Sequence, residues 1–472
     1  MNAHAVTTAP EPEAPISAET HGLEHFYDTR SPDLLDKCRK FQHLVADMHA
    51  RGLYQSQYRV EIDGPLDHRV SVRNELSGRA ETMVCFDSNG YLGMQTHPRV
   101  VAAVHRALDE VGYGTPSAQL LSGTSRHLRE LEDTVSAFLG REATLVFPSG
   151  YAANVGALTA LLRPASFVAR DRLAHASISD GCRFSRASFG GAFAHQDMDD
   201  LARLLRRDAA DSEGKLVVTD GVFSMHAAIA PLPQLRALCD AHGAHLMVDD
   251  AHGLGVLGGT GRGIEEHWNM PGSVDVLMGT FSKAPGSVGG YVTGSKALID
   301  YLRFFARSSM FTAALPAAIC AGITESLRVM EAEPEHREQL WRNSRRLWHG
   351  LREVGLHLPE TASPIVTVFV GAEPLLYAMS RALFDRGFKV GNVGFPAVPR
   401  GEAILRLSVS SRHTSEDIDR VVDVLARIAG GHGILGRTRD EIRAIGARTP
   451  MPGRVAPDAS QRPTVRALRV LR

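Results

Sequence analysis

Short apolar runs alternate with stretches of helical periodicity through most of the chain. Residues 143–147, 166–169, 215–219, 245–248 and 274–278 each read as a short strand. Between them, apolar positions at helical spacing predict helices over 152–162, 175–184 and 232–241. Val100, Val101, Val104 and Leu108 mark one earlier helix, and Leu128, Leu131, Val135 and Leu139 mark another that ends at Gly140. Repeated strand–helix units imply an α/β fold with a mostly parallel sheet and helices on both faces. Upstream, Leu34, Cys38, Phe41, Val45 and Met48 predict a helix within 32–52, which Ser31-Pro32 would start. Residues 58–62, 69–72 and 82–86 look like short strands. Downstream of Gly294 come helices over 297–307, 317–331 and 336–356. Then follow a strand (366–370), a helix (375–386), a strand (404–409) and a closing helix (415–428). The pattern divides the chain into an N-terminal helix with small strands (31–93), a large domain (94–333) and a small α+β domain (334–430). Residues 1–30, rich in Ala, Pro, Glu and Thr, are expected to be disordered. Residues 431–472, rich in Arg, Gly and Pro, are expected to form a mobile basic tail.

Composition narrows the function classes. The 472 residues are 44% hydrophobic and 22% charged, with a net charge of −1. Nothing in that balance favours nucleic acid or an anionic membrane. Cys38, Cys85, Cys182, Cys239 and Cys320 are scattered, so neither a zinc site nor a disulfide framework is indicated, and a cytoplasmic location is expected. The N-terminus lacks a signal-peptide pattern, and the apolar run 308–323 falls short of the ~20 residues of a spanning helix.

Two strand ends carry the chemistry. The strand over 245–248 delivers Asp249 and His252, and the strand over 274–278 delivers Thr280, Ser282 and Lys283. Ligands of open α/β sheets sit at such C-terminal strand ends. A lysine and a carboxylate there suit pyridoxal 5'-phosphate (PLP), because lysine can form the Schiff base and the carboxylate can keep the pyridine nitrogen protonated. The strand–turn–helix at Ser149-Gly150-Tyr151 offers backbone N–H groups to an anion. Gly253-Leu-Gly255-Val-Leu-Gly258 matches a dinucleotide fingerprint, but the Gly-rich run after it cannot open a helix, so no nucleotide site is expected.

Taken in order, the motifs resemble the α-oxoamine synthase family of fold-type-I PLP-dependent transferases. The likeness runs from about Arg51 to Val424. It rests on Ser88-Asn-Gly-Tyr-Leu-Gly93, Ser149-Gly-Tyr-Ala-Ala-Asn154, His175-Ala-Ser177, Asp220-Gly-Val-Phe-Ser-Met225, Val248-Asp-Asp-Ala-His-Gly253, Gly279-Thr-Phe-Ser-Lys283, Phe311-Thr-Ala-Ala-Leu-Pro316 and Leu405-Arg-Leu-Ser408. Gly279-Thr-Phe-Ser-Lys283 with the later Gly289-Gly290, Leu340-Trp-Arg-Asn-Ser-Arg-Arg-Leu347 and Leu405-Arg-Leu-Ser-Val-Ser-Ser-Arg-His413-Thr414 are most similar to the soluble bacterial serine palmitoyltransferase branch. The resemblance implies a seven-stranded sheet in the large domain. It also implies Lys283 as Schiff-base lysine and later acid/base, and Asp249 as partner of the pyridinium nitrogen. Ser224 and His252 would bond the phenolic oxygen, and His175 would stack on the ring and touch the substrate carboxylate. Ser149, Gly150, Tyr151, Thr280 and Ser282 would hold the phosphate, completed by Thr312 of a neighbouring subunit in a homodimer. Asn89 and Arg406 would bind the amino acid. No metal is implied.

The reaction so implied is a decarboxylative Claisen condensation. A small amino acid, with L-serine favoured and glycine or L-alanine as alternatives, meets an acyl thioester on coenzyme A or an acyl carrier protein. The product is an α-amino ketone such as 3-ketosphinganine, made for a lipid or a secondary metabolite. An aminotransferase and a non-catalytic partner subunit are the alternatives. Peripheral membrane contact is a further expectation the residues leave open. Three places depart from the family pattern: Ser117-Ala118-Gln119, Leu128 beside His127, and His226-Ala227-Ala228. They bear on the acyl donor more than on the cofactor.

Overall fold

After the helices Asp36–Ala50 and Leu53–Gln57 come the first two strands, β1 (Arg69–Asn74) and β2 (Arg79–Cys85), paired antiparallel. The structure is a computed structural model that describes residues 16–27, 30–75, 77–207, 212–360 and 363–454. Seven strands follow and build the central sheet: β3 (Ala143–Phe147), β4 (Ser166–Asp171), β5 (Ser188–Phe193), β6 (Gly214–Asp220), β7 (His245–Asp249), β8 (Val276–Thr280) and β9 (Gly290–Gly294). Their spatial order is β3-β9-β8-β7-β6-β4-β5. Five run parallel from β8 to β5, and β9 lies antiparallel between β8 and β3. The expected α/β class and mostly parallel seven-stranded sheet are therefore found.

The strands are apolar along their length because both sheet faces are covered. Successive side chains point to opposite faces. Leu145, Phe147, Met247 and Met278 join one buried cluster with Ala153, Ala157 and Leu158 of the helix Gly150–Leu161. Val146, Leu246, Val248 and Leu277 join a second with Leu128, Leu131 and Leu235 of the helices on the other face. The first helix carries no charged residue, as its burial between sheet and neighbours requires.

Three strands in the last third complete the architecture: β10 (Ile365–Gly371), β12 (Gly391–Val393) and β13 (Ala403–Ser408), in the order β10-β13-β12. A two-residue strand between them, β11 (Phe388–Lys389), pairs parallel with β2. The N-terminal strands thus share a sheet with the end of the chain.

Three segments differ from expectation. Within 1–30, residues 1–15 and 28–29 lie outside the described residues. Residues 16–27 pack, however: Ala18 is buried with Leu44, Met48 and Leu53, flanked by Ile16, Leu23 and Phe26. Low apolar content overall hid these few anchoring side chains. Within 431–472, a helix spans Arg439–Arg448, begun by a capping box of Thr438 and Glu441 and held by buried Ile442. The charge-rich composition masked that start signal. Residues 455–472 lie outside the described residues. Residues 58–62 form no strand of their own, and Ile62 makes only an isolated bridge to Val72. Among the described residues, no helix is long and apolar enough to cross a membrane.

The glycine run after β7 has a structural reason. Its loop wraps the buried Asp250 carboxylate, which accepts from the Ile264 N–H at 2.8 Å. A Cβ on Gly253 or Gly263 would stand 1.9 Å from that carboxylate.

Candidate active site

Register brings the strand ends together. Asp220 of β6 sits opposite Asp249 of β7, and Asp249 opposite Met278 of β8, so their C-terminal ends open on one cavity of about 260 Å³. That cavity is lined by Ser149, Gly150, Tyr151, His175, Ser224, Asp249, His252, Thr280, Ser282 and Lys283. In sequence these residues fall into separate groups around 149–151, 175, 224, 249–252 and 280–283, and the sheet brings the groups together. A larger cavity of about 610 Å³ lies where β4, β6, β7 and β8 begin, and it contains no predicted site residue.

One end of the cavity is shaped for an anion. Ser149 caps the helix Gly150–Leu161, its Oγ accepting from the Ala152 N–H at 3.0 Å. Thr280 Oγ1 donates to the Gly289 carbonyl at 2.8 Å and pairs with Ser282 Oγ at 2.9 Å. A Cβ on Gly290 would come within 2.6 Å of the Gly150 backbone, so β9 and the helix start can meet only through glycine. Free N–H groups, hydroxyls and a helix N-terminus make this end suited to a phosphate.

The other end is acidic and ordered. Asp249, 4% exposed, accepts from Asn154 Nδ2 at 2.7 Å and from the Ala251 N–H at 3.0 Å. Asn154 also donates to Ser177 Oγ at 2.9 Å, which in turn pairs with His175 Nδ1 at 2.6 Å. The His175 N–H donates to Asp220 at 2.9 Å. Burial, with the Asp249 charge beside it, pushes the Asp220 carboxyl well above the usual carboxylate range.

Both histidines are held toward neutrality. Burial lowers His175, against the opposing pull of Asp249. Burial, then the positive charges of Lys283 and Arg406, lower His252 well below the ordinary imidazole value. His252 Nδ1 bonds the Tyr91 hydroxyl at 2.7 Å, whose own pKa burial pushes up to about 12. Lys283 is half-buried at the cavity wall. Burial lowers its pKa, while Asp249 pulls the other way. A lysine with a lowered pKa spends more time as the free amine, the form that acts as base or nucleophile.

Arg406 of β13 is 8% exposed. Its Nε donates to the Ser224 carbonyl at 2.8 Å, and its two terminal nitrogens donate to Ser408 Oγ and Asn89 Oδ1 at 3.0 Å each. Among the described residues it has no carboxylate partner. A second cavity of about 520 Å³, lined by Asn89, Gln95 and Thr96, shares Ser282 and Lys283 with the first. Two predicted residues, Thr312 and Arg406, line neither, though Arg406 bonds Ser224 of the first cavity and Asn89 of the second. Asn154, Ser177, Asp220 and Tyr91 were missed as site residues. Their signal was their place inside the quoted motifs. Of the three family departures, His226-Ala227-Ala228 forms a turn in which Ala227 takes a left-handed φ of 58°.

The donor set fits PLP: a buried carboxylate at one end, a glycine-lined anion cradle at the other, and a lysine between. Comparison with known proteins agrees. The family model "Aminotransferase class I and II" matches residues 81–425. The chain is 41% identical to 8-amino-7-oxononanoate synthase 1 of Bacillus velezensis over 351 residues, 74% of this chain and 89% of the relative. It is 38% identical to the serine palmitoyltransferase of Sphingobacterium spiritivorum over 387 residues, 82% and 94% of the two chains. The solved serine palmitoyltransferase of Sphingomonas wittichii superposes with a TM-score of 0.79 at 35% identity, covering 85% of this chain and all of that one.

Proposed function

The chain belongs to the α-oxoamine synthase family of PLP-dependent, acyl-transferring enzymes, and on that premise we propose that it condenses a small amino acid, L-serine first, with an acyl thioester. Glycine and L-alanine are the alternative amino acids, and coenzyme A or an acyl carrier protein carries the acyl group. The new bond joins the amino acid's α-carbon to the acyl carbon. The thiol leaves, the carboxylate departs as CO₂, and a proton takes its place, giving an α-amino ketone such as 3-ketosphinganine. When bound, PLP supplies the electron sink for the negative charge at the α-carbon.

The chain's residues then have defined tasks. Lys283 holds the cofactor, removes the α-proton and returns one; its lowered pKa suits both transfers. Asp249, fixed by Asn154 and Ala251, keeps the pyridine nitrogen protonated. Ser224 and His252 bond the phenolic oxygen. Ser149, Gly150, Tyr151, Thr280 and Ser282 hold the phosphate, with Thr312 contributed by the second subunit of a homodimer. With the cofactor bound, His175 would cover the ring and, with Asn89 and Arg406, would meet the amino acid's carboxylate.

Arg406 carries the substrate assignment. A buried guanidinium without an anionic neighbour is costly unless a ligand supplies the charge, and a carboxylate matches its forked donors. The test is a visible spectrum of the PLP-loaded protein titrated separately with serine, alanine and glycine. Product mass is then read with coenzyme A and carrier-protein thioesters. Serine should shift the band saturably at the lowest concentration. A shift by glycine or alanine alone would replace serine, and no visible band after PLP addition would end the reading.

A further inference from the structure

A second cluster of ligating side chains lies away from this site, where the large domain hands over to the small one. His97 precedes the helix Pro98–Val111. Glu333 ends the helix Ala317–Ala332, and His336 lies in the first turn of the helix Glu335–Glu353. His97 Nε2 is 3.3 Å from Glu333 Oε2, and His336 Nε2 is 3.2 Å from the same oxygen. One ligand atom from each residue lies within 4.8 Å of the others. All three side chains are partly exposed, so an ion can reach them.

We propose that His97, Glu333 and His336 form a binding site for a zinc-type divalent cation at the domain junction. Zinc bonds of about 2.0–2.1 Å to nitrogen and oxygen in tetrahedral geometry place neighbouring ligand atoms about 3.3–3.4 Å apart. The two measured separations have that size. Two imidazoles and one carboxylate leave a fourth position for water. Nitrogen donors select zinc, nickel or copper over magnesium and calcium. The other Glu333 oxygen accepts from Arg99 at 3.0 Å, which fixes the carboxylate with Oε2 toward the histidines. His97 Nδ1 is buried without a hydrogen-bond partner, so the site lacks part of the outer support of tight metal centres. Micromolar rather than nanomolar affinity follows. The bound ion would tie the start of one large-domain helix to the first helix of the small domain. Gln95 and Thr96, just before His97, line the cavity that shares Lys283, so the tie abuts the entrance to the proposed active site.

The test titrates zinc chloride into PLP-loaded wild-type protein by calorimetry, with magnesium chloride as control, and repeats it on His336→Gln and Glu333→Gln. The wild type should take up one zinc per chain at this site with micromolar Kd and show no comparable magnesium binding. Zinc in excess should raise its unfolding temperature by about 3 °C, the mass-action effect of about 100-fold ligand excess over Kd. Each variant should weaken that site at least 10-fold and cut the thermal shift to about half or less, while its PLP absorbance stays unchanged. Equal zinc affinity in variants and wild type, or no zinc uptake at millimolar concentration, overturns the site. The PLP spectrum in the same samples reports the proposed function separately, so either idea can fail alone.

Discussion

Arg406 is the residue whose environment says most about the ligand, because every partner it has is neutral. Replacing it with lysine keeps the charge and removes the fork. Arg406→Lys should raise the KM for the amino acid by about 10- to 100-fold, as hydrogen bonds to charged groups of about 1.5–3 kcal/mol imply. The KM for the acyl donor should barely change, and steady-state kinetics with each substrate varied in turn reads the difference. Equal losses for both substrates would place Arg406 in the scaffold instead. This residue, Lys283 and Asp249 could be picked out from sequence because each breaks or ends an apolar strand. Asn154 and Tyr91 could not be picked out by strand pattern, and only their place inside the family motifs marks them. Their partners, Asp249 and His252, are 95 and 161 positions away, and each would pass for an ordinary helix or loop residue without them.

At the scale of elements, glycine decides where strand and helix can touch. The cradle exists because β9 and the helix Gly150–Leu161 approach through Gly290 and Gly150. Gly290→Ala would put a methyl 2.6 Å from backbone atoms, which no rotamer change can relieve. The expected result is PLP affinity reduced at least 10-fold, read by absorbance on cofactor titration, with the far-ultraviolet circular dichroism retained. Unchanged affinity would mean the helix start can shift without consequence. The same residue type explains which strands escaped prediction. β5 contains Gly190, where a Cβ would fall 1.8 Å from the Phe167 ring, and β9 begins and ends in glycine. Glycine weakens local strand preference, yet here packing demands it. Long periodic segments such as the helix Glu335–Glu353 and the four parallel apolar strands β4, β6, β7 and β8 were readable, since burial on two faces imprints itself on neighbouring residues. The caps that order residues 438–448 were present in the sequence too, but the surrounding charge outweighed them.

Over the whole molecule, contacts distant in sequence bind the N-terminal strands to the last third of the chain, and one of them is expected to respond to pH. His413, 2% exposed, stacks on Phe86 with ring centres 4.1 Å apart, accepts from the Ser410 N–H at 2.9 Å and bonds the Cys85 carbonyl at 3.1 Å. Burial lowers its pKa to about 4. The unfolded chain therefore takes up this proton first as pH falls below about 6.5, and folding loses stability until about pH 4. The loss attributable to this group is about 3 kcal/mol. His413→Gln should flatten the fall in denaturant stability over that window, and an identical pH profile would remove His413 as its source.

Assembly is the last property the molecule implies. Leu121, Tyr151, Phe305 and Phe311 are 79%, 46%, 52% and 66% exposed. The elements that carry them adjoin: the short helix Arg307–Met310, between Phe305 and Phe311 in the chain, touches both the turn Gln119–Gly123 and the helix Gly150–Leu161, whose start forms the anion cradle. Apolar exposure gathered beside a site signals a covering partner. Thr312, absent from its own chain's cavity, adjoins Phe311 here, as a contribution to a second copy requires. A native mass of about twice 51.1 kDa is expected by light scattering at micromolar concentration. Phe311→Asp should shift the protein toward monomer and weaken PLP binding together. Thr312→Ala should leave the dimer intact and weaken PLP binding by roughly 10-fold, the loss of about one hydrogen bond to a charged group. A wild-type monomer that binds PLP fully would refute the shared site. A dimer in which Thr312→Ala binds PLP normally would keep the interface and remove Thr312 from the phosphate's donors.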